Sequence, residues 1–250
     1  MIEGKGITFS ASRASDLLAG GSGKTRMNYI FDIALKHLGK EKDIQTAAMQ
    51  HGVVNERFAI DILTSVYGGK ANTNEKGDQV FYPINDYIGA TPDAIADDWV
   101  GDAKCQYYIY TYLQQCAKIP KKYYIQLQTQ MMAMKVDKGL LINYLTKPEL
   151  YGQDDWEEYP FELHERYKII QVEPDNEVQE AILIAAEEYH PLIGQCIEIL
   201  QSAREVDDAE FFYGQLVGGA TFRKLKDVNW LTTELEIICH DNTYYVRNRK

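Results

Sequence analysis

Asp93, Asp102 and Lys104 are the residues of this chain whose types and spacing best suit chemistry. Thr91-Pro92-Asp93 is followed, within one short stretch, by Asp102-Ala103-Lys104-Cys105. Two carboxylates brought together can hold Mg²⁺, a hard cation that prefers oxygen ligands, and a neighbouring ammonium can bind or polarise an attacking water or a scissile phosphate. That chemistry is metal-assisted phosphodiester hydrolysis. Taken alone, the stretch has a second reading, a solvated hairpin whose charges face water, so the surrounding elements carry the argument.

Ile88 to Ile95 and Trp99 to Cys105 read as short strands joined by the turn-forming Ala96-Asp97-Asp98. Side chains alternate along a strand, so Asp102 and Lys104 share a face and the hairpin brings Asp93 beside them. Upstream, Thr46 to Tyr67 carries apolar residues at helical spacing (Ala48, Val53, Phe58, Ile62, Leu63, Val66) and stops at Gly68-Gly69. A glycine inside a helix costs about 1 kcal/mol. Gly52 therefore predicts the close approach of another backbone, with Glu56 one turn later reaching the cation; the alternative leaves Glu56 on the surface. Downstream, Lys121 to Lys135 follows Pro120 as a helix with Tyr123, Gln126, Leu127, Gln130, Met131 and Met134 on one stripe. Most of that stripe is core, but its two glutamines need polar partners, and a phosphate or a metal-bound water would serve.

The rest reads as architecture. Lys138 to Leu145 and Phe161 to Val172 are expected strands, Asp175 to Gln201 a helix interrupted or kinked at Pro191, and Leu235 to Val246 a hairpin around Asp241-Asn242. The fold class is α/β, a central mixed sheet flanked by helices, with a catalytic domain over 1–206 and an extension over 207–250.

In order, these pieces resemble the lambda-exonuclease-like family, the YqaJ-type viral recombinases of the PD-(D/E)xK nuclease superfamily with its restriction-endonuclease-like core. That family's Gly-x-x-x-Glu, Ser/Thr-Pro-Asp, Glu/Asp-x-Lys-Cys and Tyr-x-x-Gln-x-Gln fall on Gly52 and Glu56, Thr91 to Asp93, Asp102 to Cys105, and Tyr123, Gln126 and Gln128. Ile7-Thr-Phe-Ser10-Ala-Ser12 is similar to the family's Ile-Thr-Ala-Ser, where a hydroxyl helps hold a terminal 5′ phosphate. Lys5 stands where an arginine is common, with Arg13 competing for the role, and Asp102 replaces the commoner glutamate. The resemblance implies a Mg²⁺-dependent exonuclease, with Mn²⁺ possible and two ions expected, that digests linear double-stranded DNA from its 5′ end. It assigns Glu56, Asp93, Asp102 and the Ala103 carbonyl to metal, Lys104 to the nucleophile, Gln126 to water or phosphate, and Ser10, Ser12, Arg13 and Lys5 to the 5′ phosphate. It further implies a homotrimeric ring, a single-strand annealing partner, and a phage or prophage origin in the cytoplasm of a bacterial host. An endonuclease of the same superfamily and a non-catalytic DNA-end-binding protein are the alternatives.

Composition is compatible with this reading. The chain has 250 residues, is 45% hydrophobic, and shows neither an 18-residue apolar run nor a signal-peptide-like start, which predicts a cytoplasmic protein without a membrane span. Cys105, Cys116, Cys196 and Cys239 are too dispersed for a zinc site, a disulfide framework or an iron-sulfur cluster. A net charge of −11 opposes polyanion binding, yet Lys24 and Arg26, then Lys104, Lys118, Lys121 and Lys122, then Arg223, Lys224 and Lys226, gather locally. Gly20 to Thr25 mimics a phosphate-binding loop but lacks its first glycine, where Leu18 stands. His51 reads as a structural histidine, and Tyr107, Tyr108, Tyr110 and Tyr112 as core.

Overall fold

A computed structural model of the chain describes residues 8–20, 23–40, 46–146, 161–202, 221–223, 235–240 and 243–248. In chain order the elements are β1 (Phe9–Ser10), α1 (Ala14–Leu17), α2 (Lys24–His37), α3 (Ala47–Tyr67), β2 (Lys70–Ala71), β3 (Tyr82–Pro83), β4 (Ile88–Ala90), β5 (Ala94–Ile95), β6 (Val100–Gln106) and α4 (Ile109–Ala117). They continue with α5 (Lys121–Met134), β7 (Gly139–Leu145), β8 (Tyr167–Val172), α6 (Asn176–Ser202), β9 (Thr221–Arg223), β10 (Leu235–His240) and β11 (Thr243–Asn248). Two compact units share them: Ser10–Ala14 with Ile44–Glu180, and Met1–Phe9 with Ser15–Asp43 and Ala181–Lys250.

The first unit is built on a five-stranded sheet of order β2-β5-β6-β7-β8. Its β6–β7 pair is parallel and the β2–β5, β5–β6 and β7–β8 pairs are antiparallel, so the sheet is mixed. Strand alternation divides β7 between two cores. Leu140, Ile142 and Tyr144, with Ala103, meet Ala59, Ile60 and Leu63 of α3, while Leu141 meets Val100, Leu127, Met131 and Val172 on the α5 side. Helix on sheet on helix is the expected architecture.

Chain punctuation explains the boundaries. The Thr46 hydroxyl accepts from Met49 N at 3.2 Å and caps α3, which Gly68 ends with φ 78°. At Gly69, φ is 84° and a Cβ would lie 2.6 Å from the Ile95 carbonyl oxygen, so only glycine lets the chain turn from α3 into β2. Pro120 stands at the start of α5 with extended backbone, and Lys135 ends the helix with φ 56°.

Several expectations need correction. The single strand expected over Ile88 to Ile95 is two, β4 and β5, parted at Pro92-Asp93, and β4 pairs with β3 in a separate small sheet. Of Phe161 to Val172 only Tyr167–Val172 is strand, and a 3₁₀ turn occupies Leu163–Glu165. The buried face of α3 is Ala59, Ile60 and Leu63, whereas Val53 is 75% and Phe58 56% exposed. Apolar residues lie on more than one stripe of this helix, and the sheet covers only the one that carries Ala59, Ile60 and Leu63. A Cβ at Gly52 would meet nothing within 4 Å, so the close approach expected there is absent among the described residues.

In the second unit α6 runs unbroken through Pro191, and β10 and β11 form the expected C-terminal hairpin, with β9 parallel to β11. Arg26 donates to the carbonyls of Leu17 (2.6 Å) and Ala19 (2.8 Å) and to the Tyr189 hydroxyl (2.8 Å), and its guanidinium lies over the Tyr189 ring. These contacts give Arg26 a structural role. Lys224 and Lys226 lie outside the described residues.

Candidate active site

β5 stops pairing with β6 at Gly101, so beyond that point the β6 edge facing β5 has no strand neighbour. Asp93, just before β5, takes over. Its backbone N–H donates to Gly101 O at 3.0 Å, and its Oδ2 accepts from Ala103 N at 2.7 Å. Asn72, 1% exposed, holds the Pro92-Asp93 corner: its Nδ2 donates to Pro92 O at 2.9 Å and Val80 O at 2.8 Å, and its backbone N to Asp93 O at 2.9 Å.

Asp102 and Lys104 point to the α5 face of β6, and the Lys104 Nζ lies 2.5 Å from Asp102 Oδ2. Asp102 Oδ1 accepts two amides from α5, Gln126 Nε2 at 2.6 Å and Gln130 Nε2 at 3.1 Å. Residues four apart on a helix share a face, which lets both glutamines reach one oxygen. Asp102 is 1% exposed, and its Oδ2 faces the Lys104 ammonium. Lys104 Nζ also lies 5.0 Å from the centre of the Tyr123 ring, a cation–π contact that holds the ammonium in place.

Glu56 comes from α3. Asn55 beside it is tethered to β7's end, Thr146 Oγ1 donating to Asn55 Oδ1 at 2.9 Å, and Gln79 Nε2 donates to Glu56 Oε1 at 3.3 Å. Burial pushes the Glu56 carboxyl up, with Asp102 adding to the rise and Lys104 opposing it. Burial, then the charges of Asp102 and Glu56, hold the Asp93 carboxyl well above the usual range. For Lys104, burial works against the ammonium, but Asp102 and Asp93 outweigh it and the net shift is upward. Cys105 is pushed up to about 12 by burial and by Glu56 and Asp93, which makes it a poor nucleophile. The five side chains thus form one electrostatic group.

No three histidine, cysteine or carboxylate side chains close into a ready cage for a metal among the described residues. The donor chemistry nevertheless fits magnesium, which binds through one or two carboxylates and keeps several waters. Asp102 Oδ2 and the Asp93 carboxyl supply hard oxygens of net negative charge, already tied through Ala103.

Direct contacts bring together Asp93, Asp102, Ala103, Lys104 and Gln126, and Glu56 acts on this group through its charge. Gln126, expected to meet water or phosphate, directs its amide to Asp102. Ser10 and Ser12 lie 3.1 Å apart, Oγ to Oγ, around the 3₁₀ turn Ala11–Arg13, which packs against α5; Lys5 lies outside the described residues. Sequence reasoning missed Asn72 and Gln79, whose partners are distant in the chain. Gln130 carried a signal, its spacing from Gln126.

The decoys divide. His51 is fully buried against the Tyr107 ring (centroids 5.1 Å apart), as a structural histidine should be, and burial lowers its pKa. Tyr112 is buried, with its hydroxyl donating to Glu165 O at 3.0 Å, but Tyr108 and Tyr110 are exposed and not core.

The YqaJ-like viral recombinase domain profile matches residues 4–136, more than half of the chain. The chain belongs to the YqaJ-like viral recombinase family. This YqaJ-like chain also matches solved structures. An alkaline exonuclease (LHK-Exo) from Laribacter hongkongensis shares 20% identity at TM-score 0.63, over 79% of this chain and 93% of that one. The same enzyme in complex with dAMP gives 22% and 0.62, over 80% and 95%. A phage related exonuclease from Haemophilus somnus gives 18% and 0.64, over 77% and 96%. At these identities the likeness establishes the fold of the YqaJ-like chain. No curated protein matches it.

Proposed function

We propose that this protein is a Mg²⁺-dependent deoxyribonuclease that digests linear double-stranded DNA from its 5′ end. The carrying observation is the buried Asp102 carboxylate, held by two amides on one oxygen and facing Lys104 with the other, beside Asp93. So much negative charge withdrawn from water is costly unless it serves a cation. The family and the exonuclease neighbours, one of them seen with the mononucleotide dAMP, support a nuclease reading.

Asp93, Asp102, the Ala103 carbonyl and Glu56 are the groups that would hold magnesium, with manganese a substitute and two ions expected. Bound there, a divalent cation neutralises phosphate charge and makes water more acidic. Lys104 presents its ammonium to the phosphate oxygen or the attacking water, in a position fixed by Asp102 and Tyr123. Gln126 keeps Asp102 turned toward the site. Hydrolysis forms a bond from water oxygen to phosphorus, breaks the phosphorus–O3′ bond, and delivers a proton to the leaving oxygen. Ser10, Ser12 and Arg13 are the seat for the terminal 5′ phosphate, on a turn that packs against the helix bearing Gln126.

The test is incubation with Mg²⁺ and linear duplex, closed circular duplex or single strand. Mononucleotides from linear duplex alone, faster from a 5′-phosphorylated than a 5′-hydroxyl end, are expected. Asp93→Asn, Asp102→Asn and Lys104→Ala should each lower the rate at least about a hundredfold while leaving a folded protein. Cut circles would mean an endonuclease, and intact DNA in every arm a binding role. Near-normal digestion by Asp102→Asn would sink the site.

A further inference from the structure

We propose that Gln130 is a positioning residue for Asp102, fixing which carboxylate oxygen is offered to a divalent cation. The inference rests on the reading above, that Asp102 binds the metal. Gln130 is fully buried in α5, its Nε2 donates to Asp102 Oδ1 at 3.1 Å, and its Oε1 has no hydrogen-bond partner among the described residues. A half-satisfied buried amide is a poor choice for packing alone, and leucine or methionine would suit that interior better. Its orientation is dictated: the carboxylate oxygen can only accept, so the NH₂ group must face it.

A carboxylate rotates easily about its terminal torsion, whose profile is broad and two-fold. One donor on Oδ1, from Gln126, leaves a pivot. A second donor on the same oxygen removes it, and Oδ2 is then aimed where Lys104 meets it at 2.5 Å. Both amides are neutral, so they steer the group without diminishing the negative charge a cation would bind. Groups that orient a metal ligand typically change affinity by about 10- to 100-fold when lost.

The experiment is calorimetric titration of Mn²⁺, without DNA, into the full chain and its Gln130→Met, Gln130→Leu and Asp102→Asn variants, with thermal midpoints measured in EDTA. Expected are measurable binding by the parent, none by Asp102→Asn, and affinity at least about tenfold weaker for Gln130→Met, with its EDTA midpoint kept. Raising Mg²⁺ should restore most of its digestion rate, a rescue that a merely structural role would not give. Gln130→Leu repeats the measurement should the methionine variant fold poorly. Parent-like Mn²⁺ affinity in a folded Gln130 variant, with Asp102→Asn silent, overturns this inference alone, as does a rate loss that no Mg²⁺ concentration repairs. A parent that takes up no Mn²⁺, or an Asp102→Asn variant that binds as well as the parent, overturns the metal reading and this inference with it.

Discussion

Gly52 sets what local sequence demands against what the folded chain shows. A helix-interior glycine lowers stability, and nothing lies within 4 Å of where its Cβ would stand. Gly52→Ala should therefore raise the stability of the DNA-free protein by about 0.5–1 kcal/mol, measured as a higher urea midpoint. A lower midpoint would mean that the space is needed by the fold itself. If DNA passes over that turn of α3, the same variant should digest DNA more slowly despite being more stable. Asp102 poses the opposite case, since its type and spacing were legible and its surroundings only in part. The sequence places Asp102 and Lys104 on one strand face and puts two glutamines on one helix stripe, but the meeting of those faces at a single oxygen depends on how α5 crosses the sheet.

Elements show the same division. The limits of α3 could be read because Thr46 and Gly68 act locally, whereas its buried face could not, because Val53 and Phe58 are as apolar as the Ala59 and Ile60 that the sheet selects. Pro92 itself marks the break between β4 and β5, because it cannot donate to a ladder, but nothing local shows that the strand before it belongs to another sheet. On α5, the glutamines separate by face. Gln126 and Gln130 serve Asp102, while Gln128, fully buried, donates to Glu173 O at 2.8 Å and accepts from Asp175 N at 2.9 Å and Gln179 Nε2 at 3.0 Å. Gln128→Leu should cost about 2–4 kcal/mol in urea denaturation, since each lost bond contributes about 0.5–1.5 kcal/mol and the orphaned partners add to it. A loss below the value of a single hydrogen bond would show that water replaces the clasp. Asp175 caps α6, accepting from Val178 N at 3.1 Å and from the Tyr124 hydroxyl at 2.8 Å, and these bonds hold its carboxyl below the ordinary 3.8. A lowered carboxyl stabilises the fold above its unfolded value and loses that contribution as pH falls through the folded one. The stability gap between the parent and Asp175→Asn should therefore be full above pH 3.8 and close only below it, as urea midpoints across acid pH would report.

At the scale of the molecule, charge is the difficulty: a net −11 gives weak hold on a polyanion at physiological salt. A closed ring around the DNA, which the family resemblance implies, would resolve it, since an end threaded through such a ring would leave only by sliding off. Head-to-tail contacts that close on rotation make such rings, and the exposed apolar residues of α3 are surface that a neighbouring copy could cover. Sedimentation at micromolar protein should then give about three times the 28.6 kDa chain, and digestion should survive competitor DNA added after loading. A stable monomer that stops at once on challenge would defeat the ring and leave the nuclease assignment intact. The parallel β6–β7 pair has its own consequence during synthesis. The short turn after Ile95 lets β5, Asp93 and β6 pair soon after they leave the ribosome, but β7 arrives only after α4 and α5 have been made. Until Leu145 has emerged, the whole edge of β6 that β7 covers stays bare, open to pairing with another chain. The helix carrying Gln126 and Gln130 has by then no finished sheet to pack on, so a nascent chain lacks the clamp on Asp102 until the strand that covers its exposed edge is also in place.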